Sequence, residues 1–239
     1  MVLVSLDRVE ALEGDWPPAT ERWLSGPESE RLAGITAPRR RLQFLAGHWV
    51  ARRQLARCAG GRADEWALDA AAQGPPRVIG GPVNLATPPV VGLSHSGPWV
   101  ACAVAVSGLL GIDVECPRPG RDLDGLAEMV MHPDELAAWR GLPAAARGPG
   151  FYRLWTLKEA WLKSRAEALT PGRAARLRAR EAGPGDDPLA RCIEAPGHWA
   201  CTVVAPANAD VRWPWSEPAS TEPPVRLGPT WAVDDLTPA

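Results

Sequence analysis

Apolar and polar positions alternate, cluster or repeat along the chain in patterns that predict both strands and helices. Residues 2–9 are an apolar-rich run that predicts a first strand. Residues 38–58 predict a long helix, with Thr36 as its candidate cap and Gly60-Gly61 at its end. Apolar positions at helical spacing predict a second strong helix over residues 151–168. Both kinds of element therefore contribute to the fold.

Shorter runs predict further strands and short helices around these two helices. Strands are predicted at residues 90–93, 99–106, 109–115, 175–180 and 199–205. Short helices are predicted at residues 122–131 and 133–139, and segments rich in proline and glycine predict loops at residues 74–89 and 141–150.

Helices and strands occur in two broadly similar rounds, residues 1–108 and 109–205, which predicts an α+β protein of two packed halves. Prolines accumulate after that, and the hydrophobic periodicity fades. Residues 206–239 are therefore expected to be a proline-rich, loosely packed C-terminal tail, and no chemistry is assigned to them.

Charge and composition exclude several classes of function. The formal net charge is -2, so the chain has no global basic field and is not expected to bind nucleic acid. The first residues are acidic rather than basic and no apolar run is long enough to span a bilayer, which predicts a cytoplasmic protein without a membrane partner. The 5 cysteines are widely spaced without a CxxC pair, which predicts free thiols rather than a zinc site.

Lysine is rare in this chain. Of 26 basic residues, only Lys158 and Lys163 are lysines, and both lie in the predicted helix over residues 151–168. A compact ammonium group offers a point charge and a removable proton, which guanidinium does not. The clustering therefore indicates that these two positions require an amine.

Two pairs of charged residues are candidates for chemistry. Asp113 and Glu115 are two residues apart on a predicted strand, so both project from one face and can share a divalent cation. The alternative is a solvated strand end. Glu159 and Lys163 are four residues apart on the predicted helix, where an ordinary surface ion pair is the competing interpretation.

Two further segments are candidates for binding an anion. Ser94-His95-Ser96 is predicted to form a turn between two strands, where its side chains can donate hydrogen bonds to phosphate. A structural histidine is the alternative, and a serine hydrolase is disfavoured because no GxSxG is present. Arg39, Arg40 and Arg41 at the start of the long helix form either an anion site or a solvated basic face.

Three motifs in this order resemble those of the Sfp-type 4′-phosphopantetheinyl transferases: Ser94-His95-Ser96, Gly111 to Glu115 in the sequence GIDVE, and Trp155 to Lys163 in the sequence WTLKEAWLK. His132-Pro133-Asp134-Glu135 lies between the second and the third motif, and the likeness extends over about residues 39–205. The resemblance implies a monomer of two pseudo-symmetrically packed α+β halves. It also implies the transfer of phosphopantetheine from coenzyme A to a serine of an acyl or peptidyl carrier protein, with Mg²⁺ required and 3′,5′-ADP released.

Carried over residue by residue, the resemblance implies specific roles. The implied magnesium ligands are Asp113, Glu115 and Glu159. The implied catalytic residues are Asp113, Glu159 and Lys163, with Glu159 as a candidate base for the carrier serine. The implied contacts to coenzyme A are Arg40, Arg41, Ser94, His95, Lys158 and Lys163.

The chain departs from the family pattern at two positions. Gly74-Pro75-Pro76-Arg77 stands where many relatives have a cation directly after the glycine, and Gln43 stands where an arginine is expected. These departures keep open the alternative of a non-catalytic module that binds coenzyme A or a carrier protein. A metal-dependent phosphohydrolase is a further alternative. The carrier protein and the pathway it serves, fatty acid, polyketide, nonribosomal peptide or siderophore, are left open by the sequence.

Overall fold

The computed structural model describes residues 1–19, 22–70, 74–82, 86–213 and 225–237, which form two compact units. Unit 1 is Met1–Leu110 together with residues 208–213, and unit 2 is Gly111–Ala207 together with residues 225–237. Each unit combines helices with a largely or wholly antiparallel sheet. The predicted α+β class is confirmed.

In chain order the helices and strands are β1 (Val2–Arg8), α1 (Val9–Leu12), α2 (Gly26–Ala33), α3 (Pro38–Ala59), β2 (Ala67–Leu68), β3 (Val78–Gly80), β4 (Val90–Ser96), β5 (Trp99–Ala105), β6 (Gly111–Glu115), α4 (Leu123–Val130), α5 (Pro133–Arg140), α6 (Ala144–Lys163), α7 (Pro171–Ala174), β7 (Leu177–Glu181), β8 (Leu189–Ala195), β9 (Trp199–Ala205), β10 (Val211–Arg212) and β11 (Arg226–Asp235). The main sheet of unit 1 has the order β10-β1-β5-β4, and that of unit 2 has the order β6-β9-β8-β11-β7.

Helix α3 packs on the sheet of unit 1. Pro38 occupies its first turn, and Gly60 ends it with a φ of 94°. The predicted cap was wrong: the N-cap is Ala37, which makes no side-chain hydrogen bond, so Thr36 lies one residue too early. One buried cluster joins the helix to the sheet and includes Ala46, Val50, Ala51 and Leu55 of α3 with Val100, Cys102 and Val104 of β5.

A buried ion cluster fixes α2 against α3. Glu28 closes a capping box with Ser25 at the start of α2, and its side chain is fully buried. The Arg52 guanidinium donates to both Glu28 oxygens, at 2.7 and 2.5 Å, and His48 Nδ1 lies 2.5 Å from Oε1. Burial raises the pKa of Glu28, but hydrogen bonds from His48 and Arg52 outweigh it and bring the pKa down to about 2.

Helix α6 is longer at its start and shorter at its end than the predicted helix over residues 151–168. It begins at Ala144, with Pro149 inside it. Trp139 and the preceding loop pack close to Gly150, so tertiary packing overrides the proline and glycine signals. The helix ends at Lys163 because Ala166, with a φ of 56°, has a left-handed conformation that no α-helix continues.

The prediction of a loosely packed tail over residues 206–239 was wrong for its described part. Strand β10 pairs with β1, and strand β11 is hydrogen-bonded between β8 and β7. Gly228 and Pro229 fall where the register of β11 shifts, so the residues that indicated a loop occupy an irregularity of the strand. The rest of the predicted tail, residues 214–224 and 238–239, lies outside the described residues.

Two other expectations have clear outcomes. Residues 74–89 were expected to be loop, but Val78–Gly80 form strand β3, while residues 83–85 lie outside the described chain. All 5 cysteines are free, as predicted, and all but Cys58 are buried. None of the helices in the described part of the chain has both the length and the hydropathy that a membrane span requires.

We expect Glu28→Gln to lower the free energy of unfolding by roughly 3–5 kcal/mol at neutral pH, because it leaves the buried Arg52 guanidinium without its counter-charge. Urea unfolding measures this. Glu30→Gln, an exposed change on the same helix, is the control and should stay within about 0.5 kcal/mol of the unchanged protein.

The stability contributed by Glu28 should also depend on pH. Its pKa in the folded protein, about 2, is below its ordinary value of 4.5. The stabilisation is therefore fully present above pH 4.5 and is lost as the pH falls towards 2. Unfolding curves of the unchanged protein should weaken across that window more steeply than those of Glu28→Gln, and equal slopes would contradict the assignment.

Candidate active site

Helix α6 lies directly against strand β6 because residue 111 has no side chain. A Cβ atom at Gly111 would lie 1.9 Å from the carbonyl oxygen of Ala160 and 2.8 Å from the backbone nitrogen of Ser164. Both atoms belong to the backbone at the end of α6, which cannot move aside as a side chain can. The close approach brings the last turn of α6 next to the acidic residues of β6.

Strand β6 carries two of the predicted site residues. They are Asp113, which pairs with Thr202 of β9, and Glu115, which pairs with Ala200; being two residues apart, they lie on one face of the strand. Asp113 is 2% exposed, and the Glu115 side chain is 15% exposed, with the Arg118 guanidinium 4.0 Å away. A carboxylate as buried as that of Asp113 requires a nearby compensating group.

The compensating group is the ammonium of Lys163. Its Nζ lies 2.5 Å from Oδ1 of Asp113 and 3.2 Å from Oε2 of Glu159. Burial lowers the pKa of Lys163, but the two carboxylates raise it by more than burial lowers it, so that the pKa is about 12. The lysine is therefore a cation between two acids, as the i, i+4 spacing of Glu159 and Lys163 allows.

The predicted magnesium ligands lie on two neighbouring elements, Asp113 and Glu115 on β6 and Glu159 on α6. Among the residues that the structure describes, no group of three or more His, Cys, Asp or Glu side chains is placed to hold a metal ion. Instead, Lys163 bridges two of the three acids. A metal-binding role for the trio stays a prediction.

Lys158 was predicted to contact coenzyme A, and its surroundings contradict this. The residue is 1% exposed. Its Nζ donates to the carbonyl oxygens of Val130 at 2.8 Å and Ala174 at 3.0 Å, and to Oε2 of Glu135 at 2.5 Å. An ammonium has three N–H groups, so all three are used inside unit 2 and none is left for a phosphate. Lys158 is an internal cation.

In unit 1 the structure brings together two of the predicted phosphate contacts. The Arg40 guanidinium lies 2.7 Å from Nε2 of His95, and both residues are exposed. Gln43, at the position where an arginine was expected, approaches Arg40 at 3.5 Å and donates to the carbonyl oxygen of Gly97 at 2.9 Å. The exposed cation and imidazole therefore lie together beside the β4–β5 turn.

The other two predicted contacts in unit 1 are arranged differently. Ser94-His95-Ser96 belongs to strand β4 rather than to the turn, which lies at Gly97-Pro98, because Gly97 adopts a φ of 55° there. Strand alternation exposes His95 and buries Ser94 at 7% exposure. Arg41 donates to the carbonyl oxygens of Leu32 at 2.6 Å and Ile35 at 3.1 Å, so it holds the end of α2.

Sequence reasoning missed two charged residues that contact α6. Glu135 was quoted within the His-Pro-Asp-Glu motif but given no role, although its place three residues after His132 is a capping-box signature. Arg121 lies with its guanidinium carbon 4.8 Å from the ring centre of Trp155, which precedes Glu159 by one helical turn. A cation–π contact of this kind has no sequence signature, so nothing in the chain could have indicated it.

Comparison with known proteins matches the segment that carries the cluster of Asp113, Glu159 and Lys163. A family model described as the 4′-phosphopantetheinyl transferase superfamily matches residues 109–198, which include β6 and α6. The chain is 33% identical over 164 residues to 4′-phosphopantetheinyl transferase HetI of Nostoc sp., a match that covers 64% of this chain and 68% of HetI.

Two shorter matches point the same way. A 4′-phosphopantetheinyl transferase of Bacillus subtilis is 35% identical over 78 residues, which cover 33% of this chain and 34% of that protein. The 4′-phosphopantetheinyl transferase AcpT of Salmonella typhi is 35% identical over 79 residues, which cover 33% of this chain and 41% of AcpT. The chain belongs to the 4′-phosphopantetheinyl transferase superfamily.

We expect Gly111→Ala to push α6 away from β6, because the added methyl group meets a backbone carbonyl. The free energy of unfolding should fall by about 1–3 kcal/mol, as is typical of overpacking. Gly172→Ala is the matched control, since a Cβ atom there has nothing within 4 Å. Equal stability of the two variants in urea unfolding would show that α6 and β6 are not in such close contact.

Proposed function

We propose that this protein transfers the 4′-phosphopantetheine group of coenzyme A to a serine hydroxyl of an acyl or peptidyl carrier protein, with Mg²⁺ and with release of 3′,5′-ADP. The observation that carries the proposal is the cluster of Asp113, Lys163 and Glu159. These residues lie on two elements inside the segment that the family model matches. An enzyme that moves an anionic phosphoryl group needs cations beside its substrate, and carboxylates and an amine grouped in this way can supply them.

The donor chemistry of the acidic trio suits magnesium. Asp113, Glu115 and Glu159 offer only carboxylate oxygens, which are the ligands that hard divalent cations prefer. In this structure the cationic partner of Asp113 and Glu159 is Lys163, whose side chain is 34% exposed. Magnesium binding at the trio therefore requires the lysine to release at least one carboxylate. The ion supplies Lewis-acid stabilisation of the diphosphate and of the leaving oxygen.

The chemical step is a phosphoryl transfer in which one bond to phosphorus forms and one breaks. The serine oxygen of the carrier forms a bond to the phosphorus that bears the pantetheine arm, and the bond from that phosphorus to the oxygen of 3′,5′-ADP breaks. Glu159 is the candidate acceptor of the serine proton, directly or through water. Lys163, once released from the carboxylates, neutralises negative charge on the diphosphate.

The adenosine end of coenzyme A is assigned to unit 1. Arg40 and His95 lie in contact and exposed, which suits recognition of the 3′-phosphate, because a guanidinium pairs well with phosphate oxygens. Ser94 and Arg41 are weaker candidates, since Ser94 is largely buried and Arg41 is engaged with α2. We further propose that the protein is an Sfp-type enzyme that acts as a monomer in the cytoplasm.

The decisive assay incubates an apo-carrier protein with coenzyme A and Mg²⁺ and follows its mass. A gain of one phosphopantetheine, absent with EDTA or with a carrier whose serine is alanine, is the expected result. Binding of coenzyme A without any mass gain across a panel of carriers would favour a non-catalytic binding module. Release of 3′,5′-ADP without a carrier would indicate a phosphohydrolase.

We expect Asp113→Asn and Glu159→Gln to lower the rate of carrier modification at least about 100-fold, because each removes a charge on which the reacting centre depends. Asp124→Asn is the control, since Asp124 is exposed on α4. Thermal unfolding must show that all three variants are folded at the assay temperature. Normal activity in either site variant would exclude that residue from the reaction.

Arg40→Ala should raise KM for coenzyme A about 10-fold with little change in kcat, since a charge-assisted contact to the 3′-phosphate contributes to binding of substrate and transition state alike. Dephospho-coenzyme A, which lacks the 3′-phosphate, should have the same KM with the variant and with the unchanged protein. The neighbouring Arg39→Ala is the matched control. A rise in KM for both substrates would place Arg40 elsewhere on the coenzyme.

A further inference from the structure

The buried ion pair between Lys158 and Glu135 joins five elements of unit 2. Lys158 donates to Val130 at the end of α4, to Ala174 at the end of α7 and to Glu135 on α5. The Glu135 carboxylate, 7% exposed, also accepts from the backbone nitrogen of His132 at 2.8 Å and from that of Ala179, on β7, at 2.6 Å. Helix α6 is therefore tied to α4, α5 and α7 through the Lys158 side chain, and to β7 through its partner Glu135.

Such a pair restrains a helix in a way that apolar packing does not. Hydrogen bonds from Nζ have defined directions, so three of them fix both the rotation of α6 about its axis and its position along that axis. Apolar contacts at neighbouring positions permit small rotations and slides at low cost. The restraint is also costly to break, because a lone charge would stay buried.

The residue after Lys158 is Glu159. Successive residues on an α-helix point about 100° apart, so the direction of one side chain determines that of the next. Lys158 points into the interior of unit 2, while Glu159 contacts Lys163 in the cluster with Asp113. A small rotation of α6 would move the Glu159 carboxylate relative to β6.

We propose that Lys158 and Glu135 are a positioning pair for the reaction, which hold the Glu159 carboxylate in register with Asp113 without contacting substrate. The inference rests on the proposed role of Glu159 and replaces the expected contact between Lys158 and phosphate. Both lysines of the chain are thereby used in one helix: Lys158 inside the unit to orient it, and Lys163 at the exposed end of the site.

The first test uses the unchanged protein, because Lys158 and Lys163 are the only lysines in the chain. Amines are labelled with isotopic acetic anhydride, and each lysine is quantified by peptide mass spectrometry in the folded and the urea-unfolded protein. We expect labelling of Lys158 in the folded protein to be at least about 100-fold slower than in the unfolded protein, with no effect of coenzyme A. Rapid labelling that coenzyme A and Mg²⁺ suppress would make Lys158 a substrate contact and overturn the proposal.

The second test compares Lys158→Arg, Lys158→Met and Glu135→Gln by thermal unfolding and by kinetics at a temperature where each is folded. A positioning role predicts that kcat falls about 100-fold, as small misplacements of reacting groups do, with KM for coenzyme A unchanged. A phosphate contact predicts a raised KM that arginine restores. A purely structural role predicts a lower Tm with normal kcat, and either of these last two results would overturn the proposal.

A double-mutant cycle identifies the residue through which Lys158 acts. Lys158→Met should cost about 100-fold in kcat alone but almost nothing in a Glu159→Gln background, because the positioned group is then already lost. Equal losses in both backgrounds would overturn the coupling.

Calorimetric titration with Mg²⁺ in the presence of coenzyme A gives a readout independent of turnover. The Lys158 and Glu135 variants should bind the ion about 10-fold more weakly, as expected when groups that orient ligands are changed.

The failure of this inference can be told apart from failure of the proposed function. If the unchanged protein modifies no carrier of the panel, the proposed function is wrong, whatever the variants do. If it modifies a carrier and the Lys158 and Glu135 variants keep its kcat, only the positioning role is wrong.

Discussion

The Asp113 carboxylate is buried on β6 because a lysine ammonium from α6 lies within hydrogen-bond distance of it. Removing an acid from water without a counter-charge is so unfavourable that the group would be protonated instead. The pairing requires α6 and β6 to approach more closely than two elements with ordinary side chains can, and Gly111 permits that approach. The electrostatics of the cluster follow from this one contact.

The two lysines of α6 have different surroundings. The internal amine has its three hydrogen bonds within unit 2, and burial lowers its pKa in opposition to Glu135. The outer amine is partly exposed and shared between two carboxylates. Arginine could not replace the inner amine without a larger cavity and two more N–H groups to satisfy, which accounts for an ammonium there in a chain that otherwise uses arginine.

Much of this fold could be predicted from the sequence, and the exceptions have physical causes. β1, α3, β5 and β9 have strong local patterns and lie where they were expected. The start of α6 and the whole of β11 contain proline and glycine that tertiary packing accommodates, so local propensity was misleading there. The motifs indicated Asp113, Glu159 and Lys163, and the resemblance named Arg40 and His95 separately, whereas their contact became visible only in the structure. The motifs could not show that Lys158 points inward, because the order of residues in the motif is the same whether Lys158 faces the interior or the solvent.

Strand β11 follows both β7 and β8 in the chain, yet it lies between them in the sheet rather than at an edge. Its end is held by Arg173, which donates to Asp235 at 2.7 Å. During synthesis the ribosome must therefore release residues 226–235 before β7 and β8 have their shared neighbour, and until then two hydrogen-bonding edges are open to other chains. The nascent second unit is exposed to aggregation until residue 235 has left the ribosome, so its yield in a cell depends on how quickly β11 docks.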